Sequence, residues 1–416
     1  MSEDATPAHK GRYFVLFLLI IVYALNFLDR QILGILAVPI KTEFHLTDTQ
    51  LGWLGGLAFG SVYSVLAIPA AWIADRYSRT WIMTAALAVW SGFTALCGLA
   101  SGYGTLFIAR MGVGVGEAGG VAPAYALISD YFPAGSRARA LAVYSFGIPI
   151  GAAAGILFGG YIAKTIDWRF AFIAVGLSGV VIAPIFRLLV KEPPRTTPAE
   201  DTPGITAVAR IAIAKPSFWL LSLAAGSTSL VGYGLTFWMP AYLVRTLGLD
   251  LVDAAKFLAA FTFLGGVIGI GLGGILADWL GRQTKAAYPL IPAIALTGAA
   301  ICYALGILAH NPVEIFFLFL AGQILGLSWL GPVLTAVQHL GPPRARSQMS
   351  ALCLLILNLI GLGLGPYIFG KLSDLLKPHY GADSLKWSVL ACLGFYLVGA
   401  ALLALAAPRL KKDWVD

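Results

Sequence analysis

The chain has 416 residues, 59% of them hydrophobic and only 12% charged, with a mean hydropathy of +0.83. That composition excludes an ordinary soluble globular protein and leaves little chain for a separate soluble domain. The net charge of +8 calls for no nucleic acid, because attraction to anionic lipid at the inner face of a membrane accounts for it.

About 20 apolar residues cross a bilayer as a helix. Apolar windows predict six such spans in the first half, near residues 13–40, 50–74, 81–100, 105–131, 138–163 and 170–190. Residues 191–215 carry Pro193, Pro194, Pro198 and Pro203 among consecutive polar residues and read as a cytoplasmic linker. Six further spans are predicted near residues 218–244, 254–276, 286–308, 313–339, 347–370 and 387–407. The expected fold is an all-α integral membrane protein of twelve transmembrane helices in two pseudo-symmetric six-helix bundles, residues 1–190 and 216–416.

A repeated turn supports the symmetry. Ala71, Asp75, Arg76, Ser78 and Arg79, between the second and third spans, recur as Gly274, Asp278, Trp279, Gly281 and Arg282 between the eighth and ninth, at a constant offset of 203. Internal duplication at about half the length of a membrane protein points to a transporter. With both termini inside, eighteen lysines and arginines fall on the cytoplasmic side and eight outside, the asymmetry of a multi-pass protein of a cell (inner or plasma) membrane. No cleavable signal is expected, since the first apolar stretch runs on into Asp29 without a small-residue cleavage site. Cys97, Cys302, Cys353 and Cys392 fall within spans and are expected to be small buried hydrophobes, without disulfides.

Two of the 28 basic residues remain inside the bilayer, Arg30 in the first span and Arg110 in the fourth, joined by Asp29 and Glu117. Each such charge costs about 2.5–3.5 kcal/mol on insertion scales and is normally paired, facing a cavity or an ion path. At about 1.5 Å per residue, Asp29 and Arg110 lie near one level in the outer half of a ~30 Å core. Glu117 lies two turns further along the face of Arg110, about 10 Å nearer the cytoplasm. Asn26 and Arg30, four residues apart, add a polar stripe. The expected network pairs Asp29 with Arg110 or Arg30 and leaves Glu117 as a separate, deeper carboxylate. A purely structural role as internal ion pairs is the alternative; buried pairs stabilise poorly compared with apolar packing, which favours proton coupling or substrate binding. Tyr233, Thr236, Trp238, Gln323, Trp329 and Asn358 are the expected cavity contributors of the second half, giving a pathway charged on one side and aromatic on the other.

Asp75, Arg76, Arg79, Asp130, Asp278 and Arg282 form the expected cytoplasmic gate, with Asp75 facing a helix N-terminus and Arg79 reaching Asp130. Gly147, Gly151, Gly155 and Gly159, with Pro149, predict a groove for close helix packing, and Gly361, Gly363, Gly365, Pro366 and Gly370 a looser counterpart. Gly114, Gly116 and Gly119 satisfy a dinucleotide-binding fingerprint formally, but no strand precedes them and they sit in a membrane helix, so a packing role is expected. The five histidines lack metal-ligand spacing, and no nucleophile arrangement stands out; no metal, no cofactor beyond a proton gradient and no enzymatic activity are expected.

The 71–79 and 274–282 turns and the six-plus-six plan resemble the major facilitator superfamily, although the first copy has Ala71 and Ser78 where glycines are usual. More narrowly, residues 26–30, 110–120 and 236–242 look like the spinster family of lysolipid and sphingosine-phosphate transporters. That resemblance implies that Asp29, Arg30, Arg110 and Glu117 are functional charges. It also implies proton-linked alternating access for an amphipathic, lipid-like substrate by a protein expected to be a monomer. A multidrug or organic-anion antiporter using the same charges is the rival within transport, and a membrane-embedded enzyme or receptor the rival outside it.

Overall fold

The computed structural model describes residues 11–193, 205–281 and 283–415, apart from the side chains of Asp75, Ala134, Ala138, Ile205, Thr206, Ala277 and Asp278. The Asp75, Asp278 and Arg282 assignments, with Lys10, Arg195 and linker residues 194–204, therefore lie outside what is described. Among the described residues the chain is helical and holds no strand.

Eleven helical runs among the described residues are long and apolar enough to cross a membrane. They are span one (Arg12–Ile35), two (Asp48–Ala74), three (Arg79–Gly98), four (Tyr103–Tyr131), five (Gly135–Thr165), six (Trp168–Leu189), seven (Pro216–Arg245), eight (Leu251–Gly281), nine (Ala287–Leu308), ten (Pro312–Gln338) and a run of 71 residues, Pro343–Asp413. That last run is more than twice the length a bilayer needs. It turns at Gly381, whose φ of 53° suits a residue without a Cβ, so spans eleven and twelve lie on either side. The twelve-span plan is met, and the four cysteines are free.

Local signals explain where spans start. Thr47 and Gln50 form a reciprocal capping box at span two, Ser78 caps span three and Asn311 caps span ten ahead of Pro312. Glu192, just past span six, adds a second cap to span three. Its carboxylate accepts from the backbone amides of Arg79 (3.0 Å) and Thr80 (2.9 Å) and from the hydroxyls of Ser78 and Thr80 (2.8 Å each). Partial burial opposes ionisation there, but those amides and hydroxyls together hold the Glu192 carboxyl below its usual range.

The described residues divide into two compact units. One takes residues 11–46, 58–193 and 250–259; the other takes residues 47–57, 205–249, 260–281 and 283–415. The boundaries thus depart from a simple cut at the linker, because the first turns of spans two and eight each join the unit of the opposite half. In the first unit, span five lies along span one through its glycines. A Cβ at Gly151 would stand 2.1 Å from the Ala24 carbonyl oxygen, and one at Gly155 2.5 Å from that of Leu28. Ala24 and Leu28 share one face of span one; at about 100° per residue, Asn26, Asp29 and Arg30 fall on the opposite face. The glycine stripe therefore turns the polar stripe of span one toward spans three and four. In the second unit, spans eight and ten approach by the same device, Gly269 and Gly273 lying against the Ile324 and Ser328 carbonyls.

The second unit also buries an ion pair that the sequence analysis did not single out. Asp48, 2% exposed, accepts from both Arg245 terminal nitrogens (2.9 and 3.1 Å) and from the Ser373 hydroxyl (2.7 Å). Asp374 in turn accepts from the amides of Asp48 (3.1 Å) and Thr49 (2.7 Å).

Gly151→Ala is expected to destabilise by roughly 1–3 kcal/mol, because backbone faces backbone and neither can yield. Gly92→Ala, where nothing lies within 4 Å of the added carbon, should be neutral or stabilise by about 0.5–1 kcal/mol; thermal unfolding of the purified proteins in detergent checks both. Glu192→Gln should cost ~1 kcal/mol or less, the position being partly solvent-screened. Since folding lowers this carboxyl's pKa, its contribution is present above the unfolded pKa and disappears as pH falls through the folded one. Unfolding curves at stepped pH should accordingly separate wild type from Glu192→Gln near neutrality and converge in acid.

Candidate functional site: a buried quartet of charges

Four ionisable side chains predicted at membrane depth come together in the first unit. Asp29 is 1% exposed, Arg110 2% and Glu117 0%, and the Arg30 side chain is 11% exposed. They form two crossed pairs. Arg110 Nη1 donates to Asp29 Oδ1 at 3.5 Å, and Arg30 Nε donates to Glu117 Oε2 at 2.7 Å. The expected choice between Arg110 and Arg30 as partner of Asp29 resolves to Arg110. The expectation of a separate Glu117 is corrected, because Arg30 pairs with it. The polar stripe continues in Asn26, 3% exposed, within hydrogen-bonding reach of Glu117.

Two further contacts hold Asp29 and Arg30. The Thr94 hydroxyl of span three donates to Asp29 Oδ2. The Arg30 guanidinium lies over three rings, at 5.1 Å from Phe27, 5.1 Å from Phe59 and 4.6 Å from Tyr63. Phe59 also underlies the Arg110 guanidinium at 5.3 Å. Cation–π contacts of this kind are worth about 0.5–2 kcal/mol each, more where water is excluded. Aromatic residues extend from this box. Phe59 stacks on Tyr63 at 5.5 Å, Phe27 meets Tyr23 edge-on at 5.2 Å, and Tyr23 stacks on Tyr144 at 4.3 Å. The charged half is therefore aromatic as well, where the sequence analysis placed the aromatic character in the second half.

The glycines beside these charges are there for helix contact. A Cβ on Gly114 would lie 2.8 Å from the Phe59 carbonyl oxygen, and one on Gly116 2.4 Å from the Trp90 amide nitrogen. Spans two and three can reach span four only because these positions lack a side chain. At Glu117 the helix tightens. Gly119 and Gly120 donate to the carbonyls of Gly116 (3.1 Å) and Glu117 (3.0 Å), three residues back, before the helix resumes at Val121. Glu117 thus stands at a break in span four.

The residues proposed from the second half differ in burial and in partner. Tyr233, Thr236 and Asn358 are half-buried, and Asn358 opens a π-helical stretch, Asn358–Gly363, in span eleven. Trp238 is 0% exposed and donates its indole N–H to the Pro366 carbonyl at 2.8 Å, so it is a packing residue, correcting its expected place in a cavity. Gln323 accepts from the Tyr303 hydroxyl at 2.7 Å, and Trp329 is buried. At the repeated turn, Arg79 pairs with Asp130. Arg76 instead folds over Trp72, its guanidinium 3.9 Å from the ring centre. Among the described residues no cluster of His, Cys, Asp and Glu could hold a metal ion.

The profile of the Major Facilitator Superfamily matches residues 19–366. A Mycolicibacterium smegmatis protein named as an MFS-type efflux pump is 32% identical over 407 residues, covering 96% of this chain and 93% of that protein. Human protein spinster homolog 1 is 29% identical over 420 residues, covering 94% of this chain and 79% of its own length. The crystal structure of a bacterial homologue of the human lysosomal transporter spinster, inward-facing and unoccupied, superposes with a TM-score of 0.89 at 30% identity, covering 99% of this chain and 100% of that one. A D-xylose–proton symporter shares the fold, with a TM-score of 0.74 at 15% identity over 97% of this chain and 99% of its own. With the superfamily profile spanning most of its length and spinster proteins among its relatives, the chain belongs to the Major Facilitator Superfamily, as a multi-pass transporter of the spinster type.

Proposed function

We propose that this protein is a proton-coupled secondary transporter that moves an amphipathic, lipid-like molecule across a cell membrane by alternating access. The observation that carries the reading is the quartet of Asp29, Arg30, Arg110 and Glu117, in which two carboxylates and two guanidiniums form crossed pairs in a nearly dry interior. Such pairs stabilise a fold poorly, since desolvation offsets most of their attraction. A carboxylate held by one guanidinium can give up that partner for a proton when an anionic ligand takes its place on the guanidinium, so that the guanidinium charge is not stranded.

Protonation of Glu117 removes the charge that holds the Arg30 Nε, while Phe27, Phe59 and Tyr63 keep the guanidinium in place. Arg30 then offers a rigid, planar donor set to the anionic head of an incoming molecule. The aromatic residues that run on from Phe27 and Tyr63 suit an apolar tail or ring system. Proton binding at Glu117 and head binding at Arg30 therefore support one another, which is the linkage that coupled transport requires. Asn26, Arg30 and Glu117, with Tyr233, Thr236 and Asn358, are the proposed substrate contacts. Arg79 with Asp130 is proposed as the described part of a cytoplasmic gate, alongside Asp75, Arg76, Asp278 and Arg282 of the repeated turn. Both termini are placed in the cytoplasm, residues 191–215 serve as the linker, and the working unit is a monomer that needs no cofactor beyond the proton gradient.

A second reading has a specific observation behind it. The M. smegmatis relative carries the name efflux pump, so export of drugs or organic anions by the same charges is the alternative. Both readings share the coupling and differ in cargo. Proteoliposomes tested with a lysophospholipid, a sphingoid phosphate and a cationic drug separate them: amphiphile accumulation supports the first, drug accumulation alone the second.

In those vesicles an imposed pH gradient should drive accumulation by wild type, and Glu117→Gln and Asp29→Asn should remove the gradient-driven part. Glu117→Gln should also destabilise by about 3–5 kcal/mol, because it strands the Arg30 charge, an effect readable as a lowered unfolding temperature. Coupling unchanged in both variants would leave the quartet a structural feature.

A further inference from the structure

Thr94 stands out among the hydroxyls of the spans. Thr42, Ser64, Thr84 and Thr297 each donate to the carbonyl four residues back in their own helix, an ordinary way to satisfy a hydroxyl in an apolar helix. Thr94 makes that bond too, at 3.0 Å to the Trp90 carbonyl, but it also reaches Asp29 Oδ2. One hydroxyl proton faces two acceptors, and only one can receive it fully at a time. The site is sealed: Thr94 is 0% exposed and Asp29 1%.

We infer that Thr94 is a positioning residue whose hydroxyl rotates between Asp29 and the Trp90 carbonyl according to the protonation of Asp29, and so passes that state to the contact between spans three and four. This rests on the proton-coupled reading above and assigns it a specific part. When Asp29 is ionised, the Thr94 proton points to its carboxylate beside Arg110. When Asp29 takes one proton on Oδ2, that O–H donates to Thr94 Oγ1, and the proton already on Thr94 turns to Trp90. Asp29 gains one proton and Thr94 gains none. The Trp90 main chain is the part of span three pressed against Gly116, whose added Cβ would stand 2.4 Å from the Trp90 nitrogen, next in the chain to Glu117. A change at Asp29 is thereby handed to the backbone beside the second carboxylate.

The groups that face Asp29 are few. Span four supplies Arg110 and Glu117, span one Arg30 and Asn26, and span three Thr94 and Cys97. Spans five and six also pack on span one. Their charges are turned elsewhere: Lys164 pairs with Asp250, Arg169 with Glu43, Arg187 lies over the Trp81 ring, Arg137 donates to the Ser129 carbonyl and Arg139 is exposed.

The test is pH-difference infrared spectroscopy of the purified full chain, with the Asp29 carboxyl band assigned by its loss in Asp29→Asn. Thr94→Val keeps the shape and removes the hydroxyl; Thr94→Ser keeps the hydroxyl. In Thr94→Val the band should move to the frequency of a carboxyl lacking this hydrogen bond. Its titration midpoint should move as well, because the hydroxyl that donates to the ionised form and accepts from the neutral form is gone. Thr94→Ser should restore both. A Thr94→Val band and midpoint equal to those of wild type, or a shift that Thr94→Ser does not reverse, would overturn the inference while leaving the coupling intact. Absence of any titrating Asp29 band in wild type would also overturn the inference, and the proteoliposome result with Glu117→Gln then decides separately whether the proton-coupled reading stands.

Discussion

A charged side chain in hydrocarbon must find an opposite charge within the protein, and this chain meets that demand for four charges with almost no water in reach. Everything around Asp29, Arg30, Arg110 and Glu117 follows from that constraint. Span five carries glycine every fourth residue so that span one can be pressed close and its polar face turned inward. Span four carries glycine at 114 and 116 so that the backbones of spans two and three can close over the pairs. The aromatic rings at Phe27, Phe59 and Tyr63 serve the same purpose for Arg30, giving a guanidinium a partly electrostatic surface where solvent would otherwise be needed.

Crossed pairing changes the consequence of each protonation. Had Asp29 paired with its neighbour Arg30, the first span could have held its own charge and the rest of the helices would have had no stake in it. Instead each acid is matched with a base from another helix, Asp29 of span one with Arg110 of span four, and Glu117 of span four with Arg30 of span one. Neutralising either acid therefore alters the attraction between two spans rather than within one. The break in span four at Glu117 sits where such a change has least helix to deform.

Much of this was legible in the residues. Apolar length located the spans, the recurrence of the 71–79 turn at 274–282 disclosed the duplication, and the rise per residue put Asp29 and Arg110 at one level. What stayed hidden depends on rotation about helix axes. Periodicity within one helix says which residues share a face, but not which neighbour that face meets, so the partner of Asp29 stayed open and Glu117 was assigned no partner. Thr94 could not be told from the other threonines that bond back to their own helix. Trp238 looked like a cavity aromatic because composition does not register the Pro366 carbonyl that satisfies its N–H. Asp48 and Glu192 escaped attention because they lie in segments that read as loops, although the first is buried against Arg245 and the second caps span three.

The central claim is that the quartet takes up or releases protons as the transported molecule binds. The most direct measurement is proton release or uptake by purified protein in weakly buffered detergent, read with a pH indicator as a lysophospholipid is added. The account predicts a saturable proton exchange in wild type that disappears in Glu117→Gln although ligand still binds. Saturable binding by wild type with no proton exchanged at any pH across the neutral range would contradict it.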